Sequence, residues 1–170
     1  VRSNQVWVSD ITYIGKRGKP CYLSLITDAY SKKIVGYEVS NTMCTSHVVK
    51  ALIMAQKQRK TLEELVHHSD RGVQYCSDEY QYYLSKYKIN CSMTENSDPY
   101  ENAIAERING ILKQEFMIDT YHLDLQLMKA LVKETIEIYN NDRPHWSNHI
   151  LTPNQMLVKP NMKYKTYKTK

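Results

Sequence analysis

Residues 6–14 read VWVSDITYI, in which β-branched and aromatic residues alternate with polar ones at roughly every second position. This is the pattern of a half-buried strand. Turn-forming residues 15–20, GKRGKP, separate it from a second stretch of the same kind, residues 21–29, CYLSLITDA. After a short YSKK connection, residues 34–40, IVGYEVS, form a third. Three consecutive strands with short connections predict an antiparallel meander.

Downstream, the apolar residues change to helical spacing and the helix starts carry capping residues. The hydroxyls of Thr45 and Ser46 suit the cap of a helix of about four turns. Asp98 as N-cap, Pro99 at the first helical position and Glu101 in a capping box predict a second strong start. The predicted order after the meander is helix 45–56, strand 65–68, helix 77–87, strand 89–93, helix 99–116 and helix 125–139.

This order of elements predicts an α/β fold in which helices flank one mixed sheet. The interleaved β-α-β portions require parallel strands joined by right-handed crossovers. The order matches a ribonuclease H-like fold, with a five-stranded sheet of three antiparallel strands followed by two parallel ones. We therefore predict one domain over residues 1–158 and a basic tail over residues 159–170.

The composition indicates a globular protein without a membrane span, but it does not indicate which kind of molecule the protein binds. The 170 residues are 42% hydrophobic and 24% charged, which is typical of a globular chain, and no apolar run is long enough to span a membrane. The net charge is +5, but the tail holds five lysines and no acid, so residues 1–158 are neutral overall. The tail is therefore either a solvated terminus or a sequence-independent contact with phosphates.

The four cysteines are far apart in sequence and form no C-x-x-C pair. Neither a zinc ribbon nor a disulfide framework is indicated, and nothing at the amino end resembles a signal peptide. We therefore expect a reducing, cytoplasmic setting.

Two acidic residues stand where a surface charge is not the obvious choice. Asp10 interrupts an otherwise apolar strand, and Asp70 follows a strand at the position where open α/β sheets present ligand-binding groups. Each also has an ordinary explanation, since Asp10 could lie on a wet strand face and Asp70 could cap a turn. Glu106 follows Asp70 with 35 residues between them, and Lys113 comes seven residues later.

The helix that carries Glu106 has two distinct faces on a helical wheel. One is an apolar stripe that we predict to be core. The other projects a carboxylate and an ammonium the same way, and a plain solvated face is the alternative explanation. The apolar stripe consists of Ile104, Ile108, Ile111 and Leu112, and the polar face consists of Asn102, Glu106, Asn109 and Lys113.

Together these residues resemble the catalytic core of the DDE transposases in the retroviral integrase superfamily, and in particular those of bacterial insertion sequences. The similarity extends from about Trp7 to Met156. It includes, in order, WVSDITYI, HHSDRGVQY, SMTENSDPYENAIAERINGILKQEF, YNNDRPH and LTPNQM.

The resemblance implies that Asp10, Asp70 and Glu106 are the catalytic, metal-binding triad. It implies Mg²⁺ as the cofactor, with Mn²⁺ as a substitute, and no organic cofactor. Two such ions about 3.5–4 Å apart serve phosphodiester cleavage and transesterification, and hard cations prefer carboxylate oxygens. The expected activity is that of an enzyme which cleaves transposon ends and transfers the 3′-hydroxyl to target DNA.

The resemblance also implies DNA partners, namely transposon ends and target DNA, and a homo-oligomer on DNA, because joining two ends calls for at least two protomers. In the bacterial cytoplasm such an enzyme would associate with the nucleoid when acting. Arg143 and His145 match a family motif, although a turn that ends the preceding helix also explains them. The candidate DNA-binding residues are Lys113, Arg71, Asn102, Asn109, Arg143 and His145.

Other polar residues near these motifs have structural interpretations. We predict that Asp28 belongs to a turn or supports the site, and that Glu115 lies about 180° from Glu106 on the helix. Strand alternation predicts that one of His67 and His68 packs inward and the other approaches the site.

Three alternative functions remain open at this point. One is a ribonuclease H-like nuclease that only hydrolyses, and another is a catalytically inactive, transposase-derived DNA-binding module. A glycosidase is a weaker alternative, because it needs an acid–base pair rather than three metal-binding acids.

Overall fold

The structure, a computed structural model, describes residues 2–15, 20–94 and 102–159. Five strands form one sheet in the order β3-β2-β1-β4-β5. Strands β1, β2 and β3 pair antiparallel, and β4 pairs parallel with both β1 and β5. The predicted arrangement of three antiparallel strands followed by two parallel ones is confirmed. The strands are β1 (Val6–Ile14), β2 (Cys21–Asp28), β3 (Ile34–Ser40), β4 (Val66–Ser69) and β5 (Asn90–Met93).

Helices cover both faces of the sheet and enclose two apolar cores. Helices α1 and α2 pack with Trp7 and Ile26 on one face, and α3 and α4 pack with Leu23 and Leu25 on the other. The predicted apolar stripe of α3 lies in the second core, where Ile104 is its one half-buried member. The helices are α1 (Thr45–Gln58), α2 (Asp78–Lys86), α3 (Ala103–Gln114), α4 (Leu125–Asp142) and α5 (Pro153–Leu157).

Gly36 in β3 allows α1 to approach the sheet closely. A Cβ atom at this position would lie 2.1 Å from the carbonyl oxygen of Ala51 and 2.9 Å from the Cβ of Ala55. The backbone oxygen cannot rotate away as a side chain can. Glycine is therefore required here for packing.

Several helix boundaries differ from the prediction. The N-cap of α1 is Cys44, which makes no side-chain cap hydrogen bond, so Thr45 and Ser46 lie inside the first turn rather than capping it. Helix α4 continues to Asp142 because Pro144 restricts only the residue before it, Arg143, which leaves the helical region as the C-cap. Helix α5 and a one-turn 3-10 helix, Trp146–Asn148, were not predicted.

The predicted capped start at Asp98, Pro99 and Glu101 lies outside the described residues, as does the tail from residue 160 onward. Within the described part, α3 begins at Ala103 and its N-cap, Asn102, makes no side-chain cap hydrogen bond. No helix in the described part is long and apolar enough to cross a membrane. All four cysteines are free thiols.

The first and last described segments meet beside the β2–β3 turn. The hydroxyl of Ser3 donates to the carbonyl of Leu157 at 2.7 Å, and the backbone N–H of Asn4 donates to the Asp28 carboxylate at 2.7 Å. The backbone N–H and the hydroxyl of Ser31 also donate to that carboxylate. Asp28 is therefore the predicted turn residue, and it also anchors the amino-terminal segment.

Candidate active site

Strand β1 presents the Asp10 carboxylate toward helix α3. Alternation along the strand puts Ser9 on the opposite face, where it contacts the α2 side of the sheet. One carboxylate oxygen of Asp10 accepts from the backbone N–H of Ile11 at 2.9 Å, and the other accepts from the Asn109 side chain at 2.6 Å. A bond from α3 thus fixes the orientation of this half-buried acid.

Asp70 follows β4, the parallel neighbour of β1. Its side chain is exposed, and one oxygen accepts from the backbone N–H of Gly72 at 2.9 Å. Asp70 therefore caps the turn after β4, which was the ordinary explanation of this residue. The parallel pairing also brings the turn to the same end of the sheet as Asp10, because Val8 is in register with His68.

The charges of Asp70 and Glu106 both act on the Asp10 carboxylate. Burial raises the pKa of the Asp10 carboxyl to about 6, and the negative charges of Asp70 and Glu106 add to this rise. The hydrogen bonds from Ile11 and Asn109 act in the opposite direction. The negative charges of Asp70 and Glu106 thus repel the ionised Asp10 carboxylate. A cation bound beside Asp10 would offset this repulsion.

The carboxylates of Asp10, Asp70 and Glu106 suit a hard cation, although their arrangement is not that of a complete metal-binding site. Carboxylate oxygens are the ligands that Mg²⁺ prefers, and the three acids supply them. Within residues 2–15, 20–94 and 102–159, no three His, Cys, Asp or Glu side chains are grouped closely enough to hold one metal ion. Hydrogen bonds from the protein occupy both oxygens of Asp10 and one of Asp70.

Asn102 and Asn109, two members of the predicted polar face, contact the protein itself. Both are buried, with 8% and 5% of the residue exposed. Asn102 donates to the backbone carbonyl of Ser9 at 3.1 Å, and Asn109 donates to Asp10. The two amides therefore join the start and the middle of α3 to β1, and their contact with DNA stays a prediction.

Three other candidate site residues remain accessible. Glu106 and Arg71 are exposed, and Lys113 is half-buried. Glu106 and Arg71 are therefore at the surface, whereas the two amides are buried.

A buried hydrogen-bonded group lies behind Asp10, and the sequence patterns did not reveal it. The Nε2 atom of His67 lies 2.6 Å from the Ser9 hydroxyl and 2.8 Å from the Tyr80 hydroxyl. Full burial lowers the pKa of His67 to about 3, so the imidazole is neutral. His68 is half-buried and contacts Ser92, so the predicted inward packing of one histidine is confirmed. The sequence signal that could have indicated this buried group is Ser9, whose hydroxyl stands next to Asp10 in the strand.

Arg143 and His145 lie on the other side of α3. The guanidinium of Arg143 donates to both carboxylate oxygens of Glu115 at 2.6 Å, which lowers the pKa of Glu115. His145 is buried and packs edge-to-face on Tyr139 with ring centroids 5.3 Å apart. The protein itself engages both side chains, and their contact with DNA stays a prediction.

Comparison with known proteins identifies the family. Residues 1–99 match a family model described as integrase core domain, and residues 87–153 match a second model with the same description. The IS600 uncharacterized 31 kDa protein of Shigella sonnei is 36% identical over 143 residues, which cover 84% of this chain and 53% of that protein. The transposase InsF for insertion sequence IS3A of Escherichia coli is 34% identical over 153 residues, which cover 89% and 53%. The chain thus spans about half the length of the curated relatives it matches.

Solved structures show the same fold at low sequence identity. The chain superimposes on a simian T-cell lymphotropic virus intasome structure with a TM-score of 0.78 at 20% identity, covering 99% of this chain and 61% of that one. The HTLV-2 integrase catalytic core domain in complex with magnesium gives a TM-score of 0.71 at 18% identity, covering 92% and 97%. The predicted ribonuclease H-like class is confirmed. Since the first family model alone matches more than half of its length, the chain belongs to the integrase core domain family and is related to the transposases of bacterial insertion sequences.

Proposed function

We propose that this chain is the catalytic core of a DDE transposase, which cleaves the ends of its element and transfers the resulting 3′-hydroxyl to target DNA. The observation that carries the proposal is the position of Asp10, which lies on β1 beside the parallel strand that Asp70 follows and is hydrogen-bonded to α3, the helix of Glu106. The charges of Asp70 and Glu106 add to burial in raising the pKa of the Asp10 carboxyl. One carboxylate on β1, one directly after the parallel strand β4 and one on the covering helix α3 match the donor set that this chemistry needs.

In this proposal Asp10, Asp70 and Glu106 hold Mg²⁺, for which Mn²⁺ can substitute. When bound, the metal stabilises charge on the phosphate and activates the attacking oxygen. The magnesium named for the HTLV-2 integrase core supports this choice of ion. Asn109 would keep the Asp10 carboxylate oriented, and Asn102 would hold the start of α3 against β1. The exposed cation Arg71 and the half-buried Lys113 would bind phosphates of the DNA end.

The partners in this proposal are transposon ends, target DNA and further copies of the chain on DNA. The intasome named for one structural neighbour supports an assembly of this kind. The bacterial relatives support action in the cytoplasm at the nucleoid.

Replacing Glu106 with glutamine should abolish strand cleavage and joining while leaving the fold and DNA binding nearly intact. Glutamine keeps the shape and a similar helix propensity but loses the charge that helps hold the metal. Glu106 is exposed, so this substitution should change the free energy of unfolding of the chain by less than about 0.5 kcal/mol. The measurement is Mg²⁺-dependent joining of a labelled DNA end, alongside urea unfolding. Joining at near the wild-type rate would show that Glu106 is not a member of the triad.

Lys113→Ala is the matched variant on the same helix. An ammonium can reach a phosphate but cannot ligate Mg²⁺, so this variant should raise the DNA concentration needed for half-maximal activity more than it changes the metal requirement. The same assay also separates the alternatives. A nuclease would cleave without joining, and an inactive module would bind DNA without doing either.

A further inference from the structure

A groove of about 490 Å³ lies on a different face of α3 from the triad glutamate. Its borders are α3 and the segment that follows α4. Arg107 is the next residue after Glu106, so the two side chains leave the helix about 100° apart and face neighbouring surfaces. The groove has an apolar wall formed by Ile104, Ile108 and Ile111 of α3.

The groove is bordered by cations. Lys32, Arg107 and Arg143 line it, and no Asp or Glu is among its described lining residues. Glu115 pairs with Arg143 from nearby. Arg107 is exposed, and in the described part of the chain no carboxylate forms an ion pair with it. Glu115 also interacts with Arg107 through its charge, although the two form no ion pair. The groove therefore favours an anionic partner, for which Arg107 is the available donor.

An exposed indole lies beside these cations. Trp146 lines the groove with 79% of the residue exposed, whereas Trp7, the other tryptophan, is fully buried. Burying a large aromatic side chain normally stabilises a protein. Because the Trp146 indole is left exposed, its face is free to stack on a planar partner.

The segment that carries Trp146 is held firmly. The buried Asn148 side chain donates to the backbone carbonyl of Ser31 at 2.6 Å, and the backbone of His145 donates to Leu151 at 3.0 Å. The indole is therefore presented on an anchored turn, which reduces the entropy lost on binding.

We propose that this groove binds one nucleotide of a single DNA strand, with its base stacked on Trp146 and its phosphate on Arg107. The inference rests on the proposed transposase function, for which it adds a second contact surface on the helix that carries Glu106. Pockets of roughly 300–1,000 Å³ hold ligands of this size. The bases of a single strand are free to stack on an indole, whereas those of a duplex are paired and stacked on one another. Aromatic stacking accepts any base, so the contact would be independent of sequence.

The test uses the intrinsic fluorescence of the chain, because the second tryptophan is buried. An oligothymidylate of about ten nucleotides, added without divalent metal, should quench Trp146 and protect it from iodide. Trp146→Ala and Arg107→Ala should each weaken binding of the labelled oligonucleotide by about tenfold or more. Trp146→Phe, which keeps a stacking face, and Lys57→Ala, an exposed cation on α1, should each weaken it by less than about threefold.

Three results would overturn the proposal: unchanged fluorescence and iodide access at saturating oligonucleotide, wild-type affinity in Trp146→Ala, or equal displacement by polyglutamate, which would indicate an acidic protein partner. Iodide protection is measured on the unaltered chain, so the test does not depend on a variant that folds. The binding is measured without metal and therefore independently of the joining assay with Glu106→Gln. Loss of the triad assignment and loss of the groove assignment are thus separate outcomes.

Discussion

Among single residues, Asn140 is notable because its side-chain amide forms two hydrogen bonds with the backbone of Ile34, as a residue of a neighbouring strand would. Its side chain accepts from the backbone N–H of Ile34 and donates to the carbonyl of Ile34, both at 3.0 Å, and it is buried. Replacing Asn140 with alanine would leave both backbone groups without these partners, and we expect a loss of about 2–4 kcal/mol in the free energy of unfolding. Urea unfolding measures this loss.

The neighbouring residue provides the control for this prediction. Asn141 lies on the same helix but is exposed, so Asn141→Ala should change the free energy of unfolding by less than about 0.5 kcal/mol. Equal effects of the two substitutions would show that the contact with Ile34 contributes little.

Single residues also show how far the sequence reveals the candidate site. Asp10 was identifiable because a carboxylate interrupts an apolar strand, and Glu106 because of its spacing from Asp70. The burial of Asn102 and Asn109 could not be predicted, because a helical wheel shows which residues share a polar face but not what each of them contacts. Here both contact β1, and only the tertiary structure contains that information.

At the scale of elements, the packing of α1 on β3 depends on a missing side chain. Gly36→Ala would push a methyl group against the Ala51 carbonyl, so we expect a loss of about 1–3 kcal/mol or more in the free energy of unfolding. Gly110 in α3 is the opposite case, since nothing in the described part of the chain lies within 4 Å of a Cβ placed there. Gly110→Ala should stabilise the chain by about 0.5–1 kcal/mol. Thermal unfolding of both variants checks the pair, and equal shifts would contradict it.

Elements with a clear period were predictable, and those formed by distant contacts were not. The five strands and the first four helices follow alternation or amphipathic spacing. Helix α5 had a readable signal, because Thr152 and Gln155 form a capping box with Pro153 between them. The 3-10 helix at Trp146–Asn148 had none. It depends on the bridge between His145 and Leu151 and on the bond from Asn148 to the β2–β3 turn.

At the scale of the whole molecule, buried histidines make stability depend on pH. Burial, followed by the positive charges of Arg143 and Lys32, lowers the pKa of His145 to about 4. An imidazole in the unfolded chain titrates near 6.5, so between these values the folded chain binds fewer protons than the unfolded one. The contribution of His145 to stability is therefore present above pH 6.5 and lost as the pH falls toward 4, by up to roughly 3 kcal/mol.

His145→Gln, which does not titrate, isolates this contribution. The free energy of unfolding of the wild type minus that of the variant should fall between about pH 6.5 and pH 4. Asp10, whose pKa is raised, contributes with the opposite sign, but it is present in both proteins and cancels in the difference. Urea unfolding at several pH values provides the measurement. A difference that stays constant with pH would mean that His145 titrates alike in both states.

The hydrogen bond between Ser3 and Leu157 determines how this domain can be connected to other polypeptide. Because these residues touch, a chain that enters before Ser3 and one that leaves after Leu157 do so at a single place on the surface. Flanking domains would therefore be tethered side by side rather than at opposite poles.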